Sequence, residues 1–356
     1  MKKLISVLLV ITLMSTMVLS FASAEEKVTI EILSLKTEEA AQNAFNEMFA
    51  NFQEMYPNVE FDLQSMSSDN LKTTMRARAA SGDMPDIVTW MKEIEPEYLM
   101  DLTGQAFLEN LNADTVAGAN AIYDEGIYAM PIDNGYIALY YNKDVLAASG
   151  ITEVPTTWDA FLADCEAIKA NGISPVYYSG VDTWTLQFFA LMGWYSDYAP
   201  EDAQAFADAM STNQKHWSDM NGFIDSIGKI KELVDLGYVQ ETYLSDTYQQ
   251  AQQALLDGTC AFYAQGDWVV GELEKIDADK TASSIGAFLI PLADHLYCGV
   301  GVNKGFYVSK NGKNPELTQK VMEALVSPEA QQALDLFCKF EPAKQGDCHF
   351  VAVIDA

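Results

Sequence analysis

Apolar residues alternate in Val28-Thr29-Ile30-Glu31-Ile32-Leu33. They then recur every third or fourth position through Ala41, Phe45, Met48, Phe49, Phe52 and Met55, and alternate again at Val59, Phe61 and Leu63. A period of two predicts a half-buried strand and a period near 3.6 an amphipathic helix. The chain therefore opens strand, helix, strand, with acids in the turn 34–39 at the helix's positive end and Pro57 stopping it. A second unit follows. Asp69 is placed to cap a helix carrying Leu71, Met75 and Ala79, Gly82 ends it, Asp83-Met84-Pro85-Asp86 turns, and 87–90 reads as strand three. Such alternation predicts a parallel sheet with right-handed crossovers, and ligands at the carboxyl ends of its strands. The loops after strands one and three, holding Lys36, Thr37, Glu38, Trp90 and Met91, are therefore candidate walls of a site.

The stretch 128–161 breaks this rhythm. Pro131, Asp133, Asn134 and Gly135 are turn formers, the aromatic and β-branched run 136–141 suits a strand, and Asn142-Lys143-Asp144 ends it. Thr156 and Asp159 match a capping box for a helix whose apolar face is Trp158, Phe161, Leu162, Cys165 and Ile168. Here one lobe ends and another begins. Downstream, 183–198 is densely aromatic, and Phe223, Ile227, Ile230 and Val234 mark a helix closed by Gly237. A helix over 249–257 is capped by Gly258, a strand spans 259–265, and Gly266-Asp267-Trp268 turns into a further helix. Strands are predicted at 285–292 and 306–308. Asn314-Pro315-Glu316 supplies a cap, a proline at the first helical position and an acid in the first turn; Leu317, Val321, Ala324 and Leu325 form that helix's face. Ser327-Pro328-Glu329 starts another helix.

Length and composition narrow the class. The 356 residues exceed the roughly 250–300 that one core supports, and 49% apolar content excludes disorder. Residues 1–24 read as a signal peptide: Lys2 and Lys3, an apolar core, then Ala22-Ser23-Ala24 as the cleavage site. No cysteine precedes Cys165, so no lipid-attachment cysteine stands at that site. The expected product is periplasmic or extracellular. Net charge is −30, or −32 without the leader (19 basic against 51 acidic), which repels nucleic-acid phosphates and anionic lipid. Cys165, Cys260, Cys298, Cys338 and Cys348 are widely spaced, and His216, His295 and His349 are scattered, so no zinc or redox motif is formed and no metal or cofactor is expected.

No nucleophile elbow, metalloprotease helix, P-loop or dinucleotide fingerprint is present. What stands out is aromatic residues on loops: Trp90, Tyr136, Trp184, Trp194 and Trp268. Flat rings cover the apolar C–H face of a sugar while Asp, Asn and Gln bond its hydroxyls. A lone tryptophan serves a core equally well. Trp268, after Gln265-Gly266-Asp267 at a strand end, points to ligand contact. A secreted glycan-active enzyme and a peptide-binding receptor remain alternatives.

The stretches FANFQEMYPNVEF, ASGDMPDIVTW, YAMPIDNGYIALYYNKDVLAASGITEVPTTWDAF, LLDGTCAFYAQGDW, IGAFLIPL and GFYVSKNGKNPELTQKVMEALVSPEAQQAL keep an order and spacing that resemble the family 1 extracellular solute-binding proteins of carbohydrate ABC importers, the maltose-binding-protein-like group. The resemblance spans about residues 25–340. It implies an α/β, two-lobed periplasmic-binding-protein fold (type II), with lobes joined by crossing strands and a ligand cleft between. It places lobe 1 in 25–134 plus 290–310 and lobe 2 in 135–289 plus 311–340, with crossings at 132–136, 288–292 and 308–314. It further implies hinge closure on a sugar or oligosaccharide, no chemistry on it, and delivery by a monomer to the permease subunits of an ABC transporter. The implied ligand-binding residues are Lys36, Thr37, Glu38, Asp69, Trp90, Asp133, Asn134, Tyr136, Trp184, Gln265, Asp267 and Trp268, with Gly299 and Gly301 in a close-approach loop. The resemblance fades after Leu334. Residues 341–356 read as an atypical tail, and the helices that end such chains are expected to be missing.

Overall fold

The structure, a computed structural model, describes residues 27–37, 39–89, 94–120, 123–198, 203–292, 296–326 and 348–352. Its strands are β1 (Val28–Ser34), β2 (Val59–Ser65), β3 (Ile87–Thr89), β4 (Ala129–Asn142), β5 (Ser174–Val176), β6 (Cys260–Gly266), β7 (Ile285–Phe288), β8 (Leu296–Val308) and β9 (Cys348–Ala352). They follow the order β2-β1-β3-β8-β4-β6-β5, with β7 on β4 and β9 on β8. β1 runs parallel to β2 and β3, as the alternating pattern predicts. The helix Glu39–Met55 lays Phe45, Met48, Phe49 and Phe52 among Ile30, Ile32 and Ile87. Burial of each such side chain contributes about 1.5–3 kcal/mol, which holds that stripe on the sheet. Met55, expected on the same face, is the helix's last residue and is 63% exposed.

β4 is the pivot of the topology. Its first part, through Tyr136, pairs antiparallel with β8, and from Ile137 onward it pairs with β6 and β7. The run Pro131 to Gly135, expected as a turn, is strand. The register slips between Pro131 and Asp133 and again between Asp133 and Asn134. A proline lacks the N–H that a regular ladder needs and is tolerated at a bulge, so turn-forming residues fit here without breaking the strand. The start of β4 is fixed by Asn120. Its buried amide donates to the Val116 and Ala129 carbonyls and accepts from the Tyr128 and Ala129 N–H groups.

Two main cores flank β4, so the fold is a two-lobed α/β architecture. One joins Ile30, Phe45, Phe52, Met130 and Phe306; the other joins Leu139, Phe161, Val176, Phe189, Phe262 and Phe288. Two assignments shift. The helix Pro315–Leu325, expected in the second lobe, buries Val321, Met322 and Leu325 in the first core. Ile290 and Leu292, expected in the first lobe, pack in the second core. In both cases side-chain burial decides where a segment belongs, and chain order does not.

Other boundaries move by local chemistry. Ser67, not Asp69, is the cap residue of helix Ser68–Ser81, and Gly82 ends that helix at φ 73°, the left-handed region where glycine is favoured. Thr157, one residue beyond the expected Thr156, caps helix Trp158–Ala170 by accepting from the Ala160 N–H. Ile227 is 46% exposed, while Ser226 and Leu233 face inward from helix Asn221–Asp235. β7 stops at Phe288 short of Pro291, β8 begins ten residues before the expected 306, and β5 was not expected at all. The helix start expected at 327–329 lies outside the described residues. Cys165 and Cys260 are buried free thiols, and burial raises both thiol pKa values.

A carboxylate clamps the returning chain to the first lobe. Asp86 is buried, and its oxygens accept from the N–H of Glu31 (3.0 Å) and of Asn314 (2.9 Å). The Ser309 N–H donates to its carbonyl at 3.0 Å. Beside it Arg78 forks onto Glu31 at 2.6 and 2.8 Å, which holds the Glu31 carboxyl below its ordinary value. Asp86→Ala strands two partly buried N–H donors and is expected to lower unfolding free energy by about 1–3 kcal/mol, read as a shift in the urea midpoint. A change below about 1 kcal/mol would show that the clamp is dispensable.

Candidate functional site

The first half of the site is set by the ends of β1 and β3. Thr89 Oγ1 donates to Ser34 Oγ at 2.7 Å, and the Lys36 N–H donates to the same oxygen at 3.0 Å. Both hydroxyls are buried. This fixes the chain as it leaves β1 and directs Lys36, itself only 7% exposed, toward the other lobe. Its Nζ lies 5.5 Å from the ring centroid of Trp268. A cation over an indole shielded from water contributes roughly 2 kcal/mol.

The second half stands at the end of β6. Trp268 opens the helix Trp268–Ser284, and its ring folds back over Gly266. A Cβ at Gly266 would lie 2.2 Å from that ring, so the glycine is what admits the indole. Trp184 stands 6.3 Å from Trp268 at 49°, Phe188 5.8 Å from it at 57°, and Tyr248 5.1 Å from Trp184. The rings form a faceted wall, of which Trp184 is the most open at 40% exposure. The Trp268 Nε1–H is buried and has no acceptor among the described residues. A donor left so costs about 1–3 kcal/mol until a ligand oxygen or water takes it.

Behind the wall runs a relay of polar groups. Gln265 is fully buried; its Nε2 donates to Tyr263 Oη (3.0 Å) and its Oε1 accepts from the Gly266 N–H (3.1 Å). Tyr263 Oη is 2.9 Å from Ser179 Oγ, which is 2.8 Å from Thr185 Oγ1. The Asp267 N–H donates to the Tyr136 carbonyl at 3.0 Å, tying the end of β6 to β4. Nearer the surface, Asp246 Oδ2 accepts from Thr242 Oγ1 (2.5 Å), Tyr177 Oη (2.6 Å) and Gln240 Nε2 (3.2 Å). Burial pushes the Asp246 carboxyl up, but the hydrogen bonds from Thr242, Tyr177 and Gln240 outweigh it and hold the group below its ordinary value.

Of the expected site residues, Lys36, Trp184 and Trp268 meet directly. Tyr136, Gln265 and Asp267 stand immediately behind them, and Thr37 is exposed at the rim. Asp69 lies in helix Ser68–Ser81, and Asp133 and Asn134 lie in the bulged part of β4. Gly299 and Gly301, expected in a loop, are in strand β8, opposite Val351 and Gly135. Glu38 and Trp90 fall outside the described residues, as does Met91. Tyr248, Tyr263, Ser179 and Asp246 were not anticipated. Only Tyr248 had a local signal, the capping box of Thr247 and Gln250 that starts its helix. Among the described residues no group of three or more His, Cys, Asp or Glu side chains is arranged to hold a metal, and no helix is long and apolar enough to cross a membrane.

Two α/β lobes share a strand, and a cluster of aromatic rings stands where strand ends of both lobes meet, an arrangement consistent with a two-lobed binding protein. Residues 36–332 match the sequence model of the bacterial extracellular solute-binding proteins, and the chain belongs to that family. It is similar to a multiple sugar-binding protein of Streptococcus mutans, 24% identical over 324 residues that span 87% of this chain and 74% of the relative. It is also similar to the melibiose/raffinose/stachyose-binding protein MelE of Bacillus subtilis, 27% identical over 165 residues, 44% of this chain and 37% of MelE. Among solved structures, RafE in complex with raffinose superposes with a TM-score of 0.69 at 20% identity, covering 89% of this chain and 84% of RafE. The GacH receptor of Streptomyces glaucescens superposes with a TM-score of 0.72 at 20% identity, covering 89% and 80%. At these identities the superpositions establish a shared fold.

Two outcomes follow from this geometry. Gly266→Ala forces the indole off the strand end, so acrylamide quenching of tryptophan fluorescence is expected to rise; unchanged quenching would mean that the ring tolerates the Cβ. Because the Asp246 carboxyl is held low in the folded protein, its stabilisation is complete above the titration range of a free Asp and is lost as pH falls through its folded value. Asp246→Asn is therefore expected to flatten the acid loss of stability below about pH 4, measured by urea unfolding across a pH series.

Proposed function

We propose that this protein is an exported receptor that binds a sugar or oligosaccharide between its lobes and hands it to the permease of an ABC importer. The observation that carries the reading is the Trp268 corner. An indole, a neighbouring tryptophan and a buried N–H donor without an acceptor among the described residues face a lysine from the opposite lobe. A sugar ring presents an apolar face to the indole and hydroxyl oxygens to such a donor. The relatives named for sugars support the same ligand class. Thr37, Glu38, Asp69, Trp90, Asp133 and Asn134 supply the remaining polar and aromatic contacts in this reading.

Binding works by closure. The first lobe comprises residues up to 136 with about 300–326, and the second comprises 137–292, with β4 as one crossing. Lys36 and Trp268 belong to different lobes and approach each other as the lobes close. The ligand is released unchanged. The leader is removed after Ala24, and the mature chain acts as a monomer.

Titration calorimetry against a panel of mono- and oligosaccharides tests the reading. At least one sugar is expected to bind, and Trp268→Ala to weaken it by about 1–3 kcal/mol, by analogy with stacking on nucleobases. Tight binding of a peptide or a metal with no response to any sugar would reject the assignment, and conversion of the bound sugar to products would make the protein an enzyme.

A further inference from the structure

The backbone on either side of the Lys36 side chain is held. The Lys36 N–H donates to Ser34 Oγ (3.0 Å), and the Thr37 carbonyl accepts from the Gln42 side chain of the following helix (2.9 Å). What is left to move is the side chain itself, and it carries the ammonium over the Trp268 ring, 5.5 Å from the centroid. The two residues belong to different lobes. Helix Glu39–Met55, which follows Lys36, also touches helix Trp268–Ser284, so the lobes meet here along more than one side chain.

That distance decides what the indole can accept. A sugar ring lying between an indole and an ammonium needs two successive van der Waals spacings of about 3.5–4.0 Å, roughly 7–8 Å together. Only 5.5 Å separates Nζ from the centroid. Other parts of the indole are taken as well. Gly266 lies against its six-membered ring, and Phe188 and Trp184 pack beside it with centroids 5.8 and 6.3 Å away. Lys36 and a stacked sugar therefore compete for one face. The lysine is buried, and a cation shielded from water gains more from an indole than an exposed one does.

We propose that Lys36 is an internal latch: its ammonium occupies the stacking face of Trp268, holds the two lobes together, and must be displaced by the ligand. The latch stands on the Lys36–Trp268 contact; that its competitor is a sugar rests on the sugar-binding reading of the site. Apparent affinity falls by the fraction of molecules whose binding face is open, so the latch raises the ligand concentration at which the site fills.

The test compares the wild type with Lys36→Met, which keeps a long side chain and drops the charge, and Lys36→Arg, which keeps a cation able to lie on an indole. Far-ultraviolet circular dichroism checks that both variants are folded. Small-angle X-ray scattering without sugar is expected to give a larger radius of gyration for Lys36→Met than for the wild type, and Lys36→Arg is expected to match the wild type. Calorimetry uses raffinose, maltotriose, xylotriose and chitotriose as probes. Lys36→Met is expected to bind whichever of them binds about tenfold more tightly than the wild type, the factor for a face open in one molecule in ten. An unchanged radius in Lys36→Met would overturn the latch. So would unchanged or weaker sugar binding by that variant, weaker binding making Lys36 a ligand contact instead. A larger radius for Lys36→Met with no probe bound by any of the three proteins would leave the latch standing and overturn the sugar-binding reading.

Discussion

The backbone of β4 is hydrogen-bonded into both halves of the molecule, and the rest of the architecture depends on that sharing. Up to Tyr136 its N–H and C=O groups belong to the ladder with β8, and from Ile137 they belong to the ladders with β6 and β7. A buried backbone group cannot be left unpaired. Each sheet therefore constrains where the other begins, and the site falls at the changeover. Tyr136, the last residue before the change, accepts from Asp267 at the end of β6. The position of Trp268 is thus tied through one carbonyl to the strand that serves both lobes.

Periodicity made much of the fold legible. The β1–helix–β2 unit, helix Tyr248–Asp257 with its glycine cap, and helix Pro315–Leu325 with its proline start follow from residue types at fixed spacing. What failed was anything decided by partners distant in sequence. Pro131 to Gly135 reads as a turn locally and is strand because β8 is there to bulge against. β8 itself is hard to see, since Gly299, Gly301, Asn303 and Gly305 weaken the strand signal of the alternating Leu296, Cys298, Val300 and Val302. The lobe to which helix Pro315–Leu325 belongs is set by Phe45 and Phe306, far from it in the chain.

The site was legible in a different way. Aromatic residues at strand ends and loop positions pointed to Trp184 and Trp268, the loop at the carboxyl end of the first strand pointed to Lys36, and the family resemblance pointed to Gln265 and Asp267. Their division of labour was hidden. Gln265, with both ends of its amide engaged inside the protein, positions the strand end, while the Ser179–Tyr263 pair supports the wall without any mark in the sequence. Hydroxyl relays of this kind draw one group from each of several segments, so no spacing rule reveals them.

The fold-back of Trp268 over Gly266 couples two positions in descent as well as in space. A side chain larger than hydrogen at 266 and a large ring at 268 in this pose exclude one another. Across diverging copies of this gene the two sites should change together, and a lineage that gains bulk at 266 surrenders the indole face in the same step. A single substitution at Gly266 can then displace the indole without any change at position 268 itself.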